Sequence, residues 1–306
     1  MSTQVMSRKA AALVGRSKRT PLARWFWDID KVLLVLVAVL ISIGLIAVAA
    51  ASPAAATRYS GGGHNVPALY YFYRQLIWIA LAVPVMIGVS MLAQNSARRL
   101  SIVGAAICTL LLFLVPIMGA EVNGSVRWLD AGVTLFQPSE FLKPLFIVTI
   151  AWVLSMKDKD PSLPVVPLTA VLTGVVALLL MKQPNLGETV IFVAAWVLLI
   201  ALSGASMRIL YMLGAAAFAL IVLAYLFYDV ATQRINGFIF QEGDQYQVES
   251  ALRTLTAGGL FGAGPGAGIR KFQLPEPHTD YIFSVIGEEF GIIACLAIAI
   301  LYMTIV

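Results

Sequence analysis

The chain has 306 residues, of which 60% are hydrophobic and only 12% charged, with a mean hydropathy of +0.88. Soluble domains are nearer half apolar and a quarter charged, so a soluble fold is excluded. The net charge of +5 comes mostly from residues that set membrane orientation, and it makes no case for a nucleic-acid partner.

Residues 1–30 are basic, rich in Ser and Ala, and read as a disordered cytoplasmic tail. Eight windows follow: roughly 31–52, 69–93, 101–119, 141–156, 165–182, 188–204, 208–228 and 281–306. A spanning helix needs about 20 mostly apolar residues; the fourth to sixth windows are short or interrupted. They are Leu/Val/Ile/Ala-rich runs, without the ten-residue alternation of a transmembrane barrel. The fold class is therefore an all-α polytopic membrane protein, with one domain over 31–306 and a long extracytoplasmic loop, 229–280, between spans seven and eight. Lys and Arg set the orientation. Arg8, Lys9, Arg16, Lys18, Arg19, Arg24 and Lys31 precede the first span, and Arg98, Arg99, Lys157, Lys159 and Arg208 share its side. The short loops of the opposite side hold Arg58, Arg127 and Lys182, with Arg74 near a helix end, and the long 229–280 segment does not count. The N-terminus is expected in the cytoplasm. Cys108 and Cys295 fall inside apolar windows without metal or redox spacing, as small buried hydrophobes do.

Polar residues in such a chain mark function or a structural pairing, and four clusters stand out. Glu121-Val122-Asn123-Gly124-Ser125-Val126-Arg127-Trp128 leaves the third span. Arg127 either grips a phosphate bidentately or, beside Trp128, anchors the interface. Next, Gln137-Pro138-Ser139-Glu140-Phe141-Leu142-Lys143-Pro144 opens the fourth span. Pro138 suits the first helical position, and the spacing of Glu140 and Lys143 places them on one face to pair, as a clamp or as part of a site. Lys182-Gln183-Pro184-Asn185-Leu186-Gly187-Glu188 is a tight turn, which accounts for its Pro, Asn and Gly but not for Gln183 or Glu188.

The fourth cluster is the long segment before the last span. It carries Tyr246-Gln247, then Gly258-Gly259-Leu260-Phe261-Gly262-Ala263-Gly264-Pro265-Gly266-Ala267-Gly268, then Arg270-Lys271. No G-x-x-x-x-G-K-[ST] is present, so the glycines are not a nucleotide loop; close backbone packing is the better reading. Leu274-Pro275-Glu276-Pro277-His278-Thr279-Asp280-Tyr281 then sets ionisable groups at the mouth of the last span, which carries Glu288 and Glu289 about two turns in.

In this order the pieces resemble the SEDS family (shape, elongation, division and sporulation; the FtsW/RodA/SpoVE group). The matching residues are Asn123-Gly124 with Arg127-Trp128, Gln137-Pro138-Ser139-Glu140 with Lys143, and Gln183-Pro184 with Leu186-Gly187. Gly258-Gly259 with Gly262 and Gly264, and Leu274-Pro275-Glu276 with His278-Thr279-Asp280 through Gly287-Glu288-Glu289 and Gly291, complete the set. Tyr246-Gln247, Gly-Gly-Leu-Phe-Gly and Pro-Glu-Pro-His-Thr-Asp look more like the division branch, FtsW, than RodA. The resemblance implies a peptidoglycan glycosyltransferase that polymerises lipid II at the outer face of the bacterial cytoplasmic membrane, at the division septum. Lipid II is an undecaprenyl-pyrophosphate-linked disaccharide-pentapeptide. The implied partners are a class B penicillin-binding protein (FtsI-like), other divisome proteins and membrane lipids. A lipid II flippase and a non-catalytic divisome scaffold are the alternatives.

The resemblance assigns Asp280 as general base or metal-positioning carboxylate, with Glu140 and Lys143 as the ion pair facing it. Arg127, Arg270, Lys271, Gln183, His278 and Glu276 are expected at the substrate, His278 either binding it or bonding the loop. No organic cofactor is implied, and a divalent cation, Mg2+ or Mn2+, is left open. The family usually has ten spans, so the sequence is expected either to be a C-terminally truncated fragment or to lack the C-terminal pair. Its Gln-Pro-Asp-Leu-Gly turn reads Asn185 in place of Asp, so no charge role is expected of that turn.

Overall fold

In hydrocarbon every backbone N–H and C=O must be satisfied within the segment, and the apolar windows meet that demand as helices. A computed structural model describes residues 21–60, 65–122, 125–130, 132, 134–239 and 246–306. In chain order the helices are α1 (Pro21–Asp28), α2 (Lys31–Tyr59), α3 (Tyr70–Ser90), α4 (Gln94–Met118), α5 (Pro138–Ser155) and α6 (Val165–Lys182). They continue as α7 (Leu186–Leu202), α8 (Met207–Phe227), α9 (Asp229–Ile239), α10 (Tyr246–Ala257) and α11 (Ile282–Ile305). Among the described residues seven helices are long and apolar enough to cross a membrane, and α7, with 17 residues, is a shorter apolar helix. These eight correspond to the eight windows. Exposed large apolar side chains along them, such as Ile77, Leu178 and Phe218, are what a lipid-facing surface requires. The protein is an all-α, multi-pass membrane protein.

Three features differ from the sequence expectation. Residues 1–20 lie outside the described residues, but 21–28 form a helix rather than an open tail. The Trp25 indole donates to Ser90 Oγ at 2.7 Å, and Asp30 caps α2 by accepting from the N–H groups of Val32 and Leu33, as an N-cap carboxylate does. Second, residues 120–136 include a small antiparallel sheet, β1 (Ala120–Val122), β2 (Ser125–Asp130) and β3 (Leu135–Phe136), in the order β1-β2-β3. It is too short for a period-2 signal. Third, the segment 229–280 is largely structured: it holds α9, α10 and a short 3-10 turn, Arg270–Gln273.

The chain divides into two compact units: Met1–Met91 with Asp244–Val306, and Leu92–Gly243. The first packs α11 on α2 and α10. Its apolar contacts run through Ala47, Ile286, Cys295 and Ile298, and through Ala51, Leu274 and Val285. The buried alanines of α2 (Ala47, Ala51, Ala54, Ala55 and Ala56) let the helix backbones approach closely. The second unit has one core across α4, α5, α6 and α7, including Leu112, Leu142, Phe146, Leu180 and Phe192, where Phe146 and Phe192 meet edge to face at 5.1 Å.

Candidate functional site

In the first unit the loop between α10 and α11 is built onto α11 itself. Helix α11 breaks at Gly291, whose φ of 81° and ψ of 175° are not helical. The freed groups are taken up by the glycine-rich run: Ile292 N–H donates to Gly259 O and Ile293 N–H to Leu260 O. In return Ala263 and Gly264 donate to the carbonyls of Glu288 and Glu289. A Cβ on Gly258 would strike the carbonyls of Gly287 and Glu288, and one on Gly262 the Glu289 carbonyl. Close packing, not phosphate binding, explains these glycines.

From there the chain rises through Arg270–Gln273 to the polar stretch that begins at Glu276. Several side chains tether it. Arg58 Nη1 donates to Leu274 O at 3.4 Å, Tyr246 Oη to Gln273 O at 3.1 Å, and Tyr281 Oη to Gln247 Oε1 at 3.1 Å. The Tyr59 hydroxyl donates to Glu276. Glu276 adopts a left-handed φ of 48°, and its carbonyl accepts from the N–H groups of Thr279 and Tyr281. Asp280 stands exposed at the end of this turn. Burial holds the Tyr281 phenol above its ordinary pKa, and the neighbouring Asp280 charge adds to that.

His278 is half-buried, with its ring 4.0 Å from that of Tyr71. Burial lowers its pKa; the carboxylate of Glu276 opposes that, Arg74 reinforces it and Asp280 opposes it. The imidazole is thus held toward the neutral form, and its buried Nδ1 has no protein partner. It is a hydrogen-bonding group two residues from Asp280.

The second unit gathers the other polar residues. Lys143 Nζ donates to Glu140 Oε1 at 2.7 Å, and the pair is partly solvent-exposed. Pro138 occupies the start of α5, with Glu140 in its first turn. Gln137 donates to Glu188 Oε1 at 2.6 Å and to Ser139 Oγ at 3.1 Å, while Glu188 Oε2 is buried with no protein partner.

Three residues expected at the substrate are engaged by protein groups. Arg127 donates through Nε to Gln183 O at 3.3 Å and through Nη2 to Pro184 O at 2.8 Å, so its fork holds the α6–α7 turn. Gln183 is buried and donates to Leu112 O. Lys271 is buried, donating to Ala50 O at 2.9 Å and pairing with Glu289. A cation in so apolar a setting must be paired, and that requirement sets its place. Arg270 is exposed, and its backbone N–H donates to Glu288. Asn123 and Gly124 lie outside the described residues. Spacing alone did not predict the Lys271–Glu289 pair; the signal was a charge doublet inside an apolar window. No cluster of three or more His, Cys, Asp or Glu able to hold a metal occurs among the described residues.

The family described as cell cycle protein, with FtsW, RodA and SpoVE as its members, matches residues 30–306. The chain belongs to this FtsW/RodA/SpoVE family. A probable peptidoglycan glycosyltransferase FtsW from Caulobacter vibrioides is 33% identical over 291 residues, covering 94% of this chain and 73% of that relative. The crystal structure of Thermus thermophilus rod shape determining protein RodA aligns with a TM-score of 0.61 at 25% identity, covering 91% of this chain and 73% of that one. A chain from a peptidoglycan synthase complex that coordinates polymerisation and crosslinking has a TM-score of 0.67 at 23% identity, with 91% and 76% covered. The last shares the fold. In this FtsW/RodA/SpoVE chain, Asp280 and Glu140 are exposed, and Glu276, His278 and Lys143 are partly so.

Proposed function

We infer that this protein is a peptidoglycan glycosyltransferase of the division branch, joining the disaccharide units of lipid II at the outer face of the cytoplasmic membrane. The observation that carries the reading is Asp280, an exposed carboxylate on a tethered turn, in a chain whose family match runs from 30 to 306. The reaction needs an acceptor hydroxyl to attack the anomeric carbon of the donor sugar. That hydroxyl loses its proton, and polyprenyl pyrophosphate departs. Asp280 serves as the general base that takes up the acceptor hydroxyl's proton, a reading its exposure supports. Lys143, partnered by Glu140, provides positive charge for the pyrophosphate that leaves, and Arg270 adds to it. His278, neutral and with Nδ1 open, hydrogen-bonds the sugar or its amide. Lys271, Gln183 and Arg127 are taken up by protein partners and are assigned structural roles.

Asp280 and Glu276 supply only part of a coordination shell. Were a Mg2+ or Mn2+ used, these are the residues that would hold it, and it would supply charge neutralisation at the phosphates. The N-terminus is cytoplasmic by the Lys and Arg bias, and the enzyme works at the septum with a class B penicillin-binding protein that cross-links the strands. The flippase alternative draws on the break in α11, since broken helices build transporter sites. Here the freed backbone groups pair with protein backbone, which favours surface chemistry. The test is polymerisation of labelled lipid II by the full chain with its partner. Asp280→Ala is expected to abolish polymer; polymer at the wild-type rate would remove Asp280 from catalysis. Lipid II translocation that survives in Asp280→Ala, with no polymer from the wild type, would favour the flippase.

A further inference from the structure

Three ionisable side chains lie fully buried in the first unit, outside the site just described. Lys271, Glu288 and Glu289 are 1%, 2% and 1% exposed. Charged groups are almost never this buried unless paired, and each here is satisfied by a named partner. The Glu289 carboxylate accepts from Lys271 Nζ through one oxygen and from Gly266 N–H at 2.8 Å through the other. Lys271 Nζ also donates to Ala50 O, tying the loop to α2. Glu288 accepts from Arg270 N–H at 2.7 Å and Lys271 N–H at 2.9 Å, one on each oxygen. Those two backbone donors do for Glu288 what the ammonium does for Glu289, stabilising an anion in a low-dielectric setting.

The partners are not random. Every loop group that the two carboxylates hold lies between Gly266 and Lys271, in the segment that carries the chain up to the Asp280 turn. Gly268 is packed so closely on the Glu288 side chain that a Cβ there would collide with it. Both carboxylates sit in α11, which starts at Ile282, immediately after the turn. The catalytic loop is therefore gripped by the helix that follows it, about two turns or ~10 Å below its mouth.

We propose that Lys271, Glu288 and Glu289 are positioning residues for Asp280: a buried charge clamp that sets the height and direction of the loop presenting the base. The clamp rests on the glycosyltransferase reading only for its catalytic consequence; its mechanical consequence stands alone. Displacing a catalytic group by ~1 Å costs about 100-fold in rate. Among the described residues, loss of the Lys271 ammonium leaves the 266–271 segment hydrogen-bonded to α11 through backbone N–H groups alone.

The test compares Lys271→Met, Lys271→Arg and Glu288→Gln in the full chain with its partner, by lipid II polymerisation and by amide hydrogen exchange over 263–281. Lys271→Met is expected to lower kcat about 100-fold with KM little changed, and to speed exchange at Gly266, Arg270 and Lys271. Lys271→Arg keeps the cation and is expected to retain most of the wild-type kcat. Should Lys271→Met fail to fold, Glu288→Gln decides. It leaves the ion pair intact but cannot accept both backbone N–H groups as an amide, so kcat should fall while the fold persists. Wild-type kcat in a folded Lys271→Met or Glu288→Gln protein overturns the proposal. A wild-type protein that makes no polymer overturns the glycosyltransferase reading instead, and unchanged exchange in the variants then overturns the clamp.

Discussion

Replacing Gly291 by alanine should unfasten the first unit at its joint. Three costs combine. The backbone there has φ of 81°, which an L side chain enters at a cost of about 1–2 kcal/mol. The new Cβ would strike Leu260 O, with Gly262 N close behind, and relieving such overpacking costs about 1–3 kcal/mol. That relief moves the backbone carrying Ile292 N–H to Gly259 O and Ile293 N–H to Leu260 O, two bonds worth about 0.5–1.5 kcal/mol each. The total is about 3–8 kcal/mol, equivalent to a fall of about 6 °C or more in Tm. Thermal unfolding in detergent, monitored by tryptophan fluorescence, measures it. Gly174→Ala, where a Cβ meets nothing within 4 Å, is the control, expected to be neutral or slightly stabilising because alanine suits a helix interior better. A Gly291→Ala protein that melts with the Gly174→Ala protein would refute the stitched joint.

Other outcomes follow from the polar contacts. Lys143→Met should leave stability within about 1 kcal/mol, since exposed pairs contribute little, yet reduce polymerisation by an order of magnitude or more; equal loss of both would assign Lys143 to the fold. Arg127→Lys should destabilise the second unit by about 1–2 kcal/mol, because one ammonium cannot reproduce the fork on the Gln183 and Pro184 carbonyls; an unchanged unfolding midpoint would count against that fork. The depressed His278 pKa means the unfolded chain binds that proton more readily. Its contribution to stability is present above the ordinary value of 6.5 and lost as pH falls through the lower folded value. Tm measured from pH 7.5 to 5 should decline less steeply in His278→Gln than in the wild type.

Much of this arrangement is written in local patterns. Continuous apolar runs give the eight helices, Pro138 marks the start of α5, and the spacing of Glu140 and Lys143 gives their pair. What escapes is non-local. Lys271 and Glu289 are brought together by a loop folding back on a broken helix, and neither propensity nor period encodes such a return. Arg127, set beside an aromatic, reads as a phosphate or interface residue until the turn carbonyls are placed under it. The small sheet over 120–136 forms from strands of three, six and two residues, below the length at which alternation speaks.

The first unit is assembled from both ends of the sequence. The second is continuous from Leu92 to Gly243, so its helices can pack on one another as they leave the ribosome. Helix α2 has no such choice. The alanine face that α11 covers emerges roughly two hundred residues before its cover, and closing so long a loop is slow. Until then that close-packing surface must wait in lipid or be shielded by other membrane components. The part of the chain that carries Asp280 is thus also the part that covers α2, so the Asp280 turn is built in the same event that brings α11 onto that face.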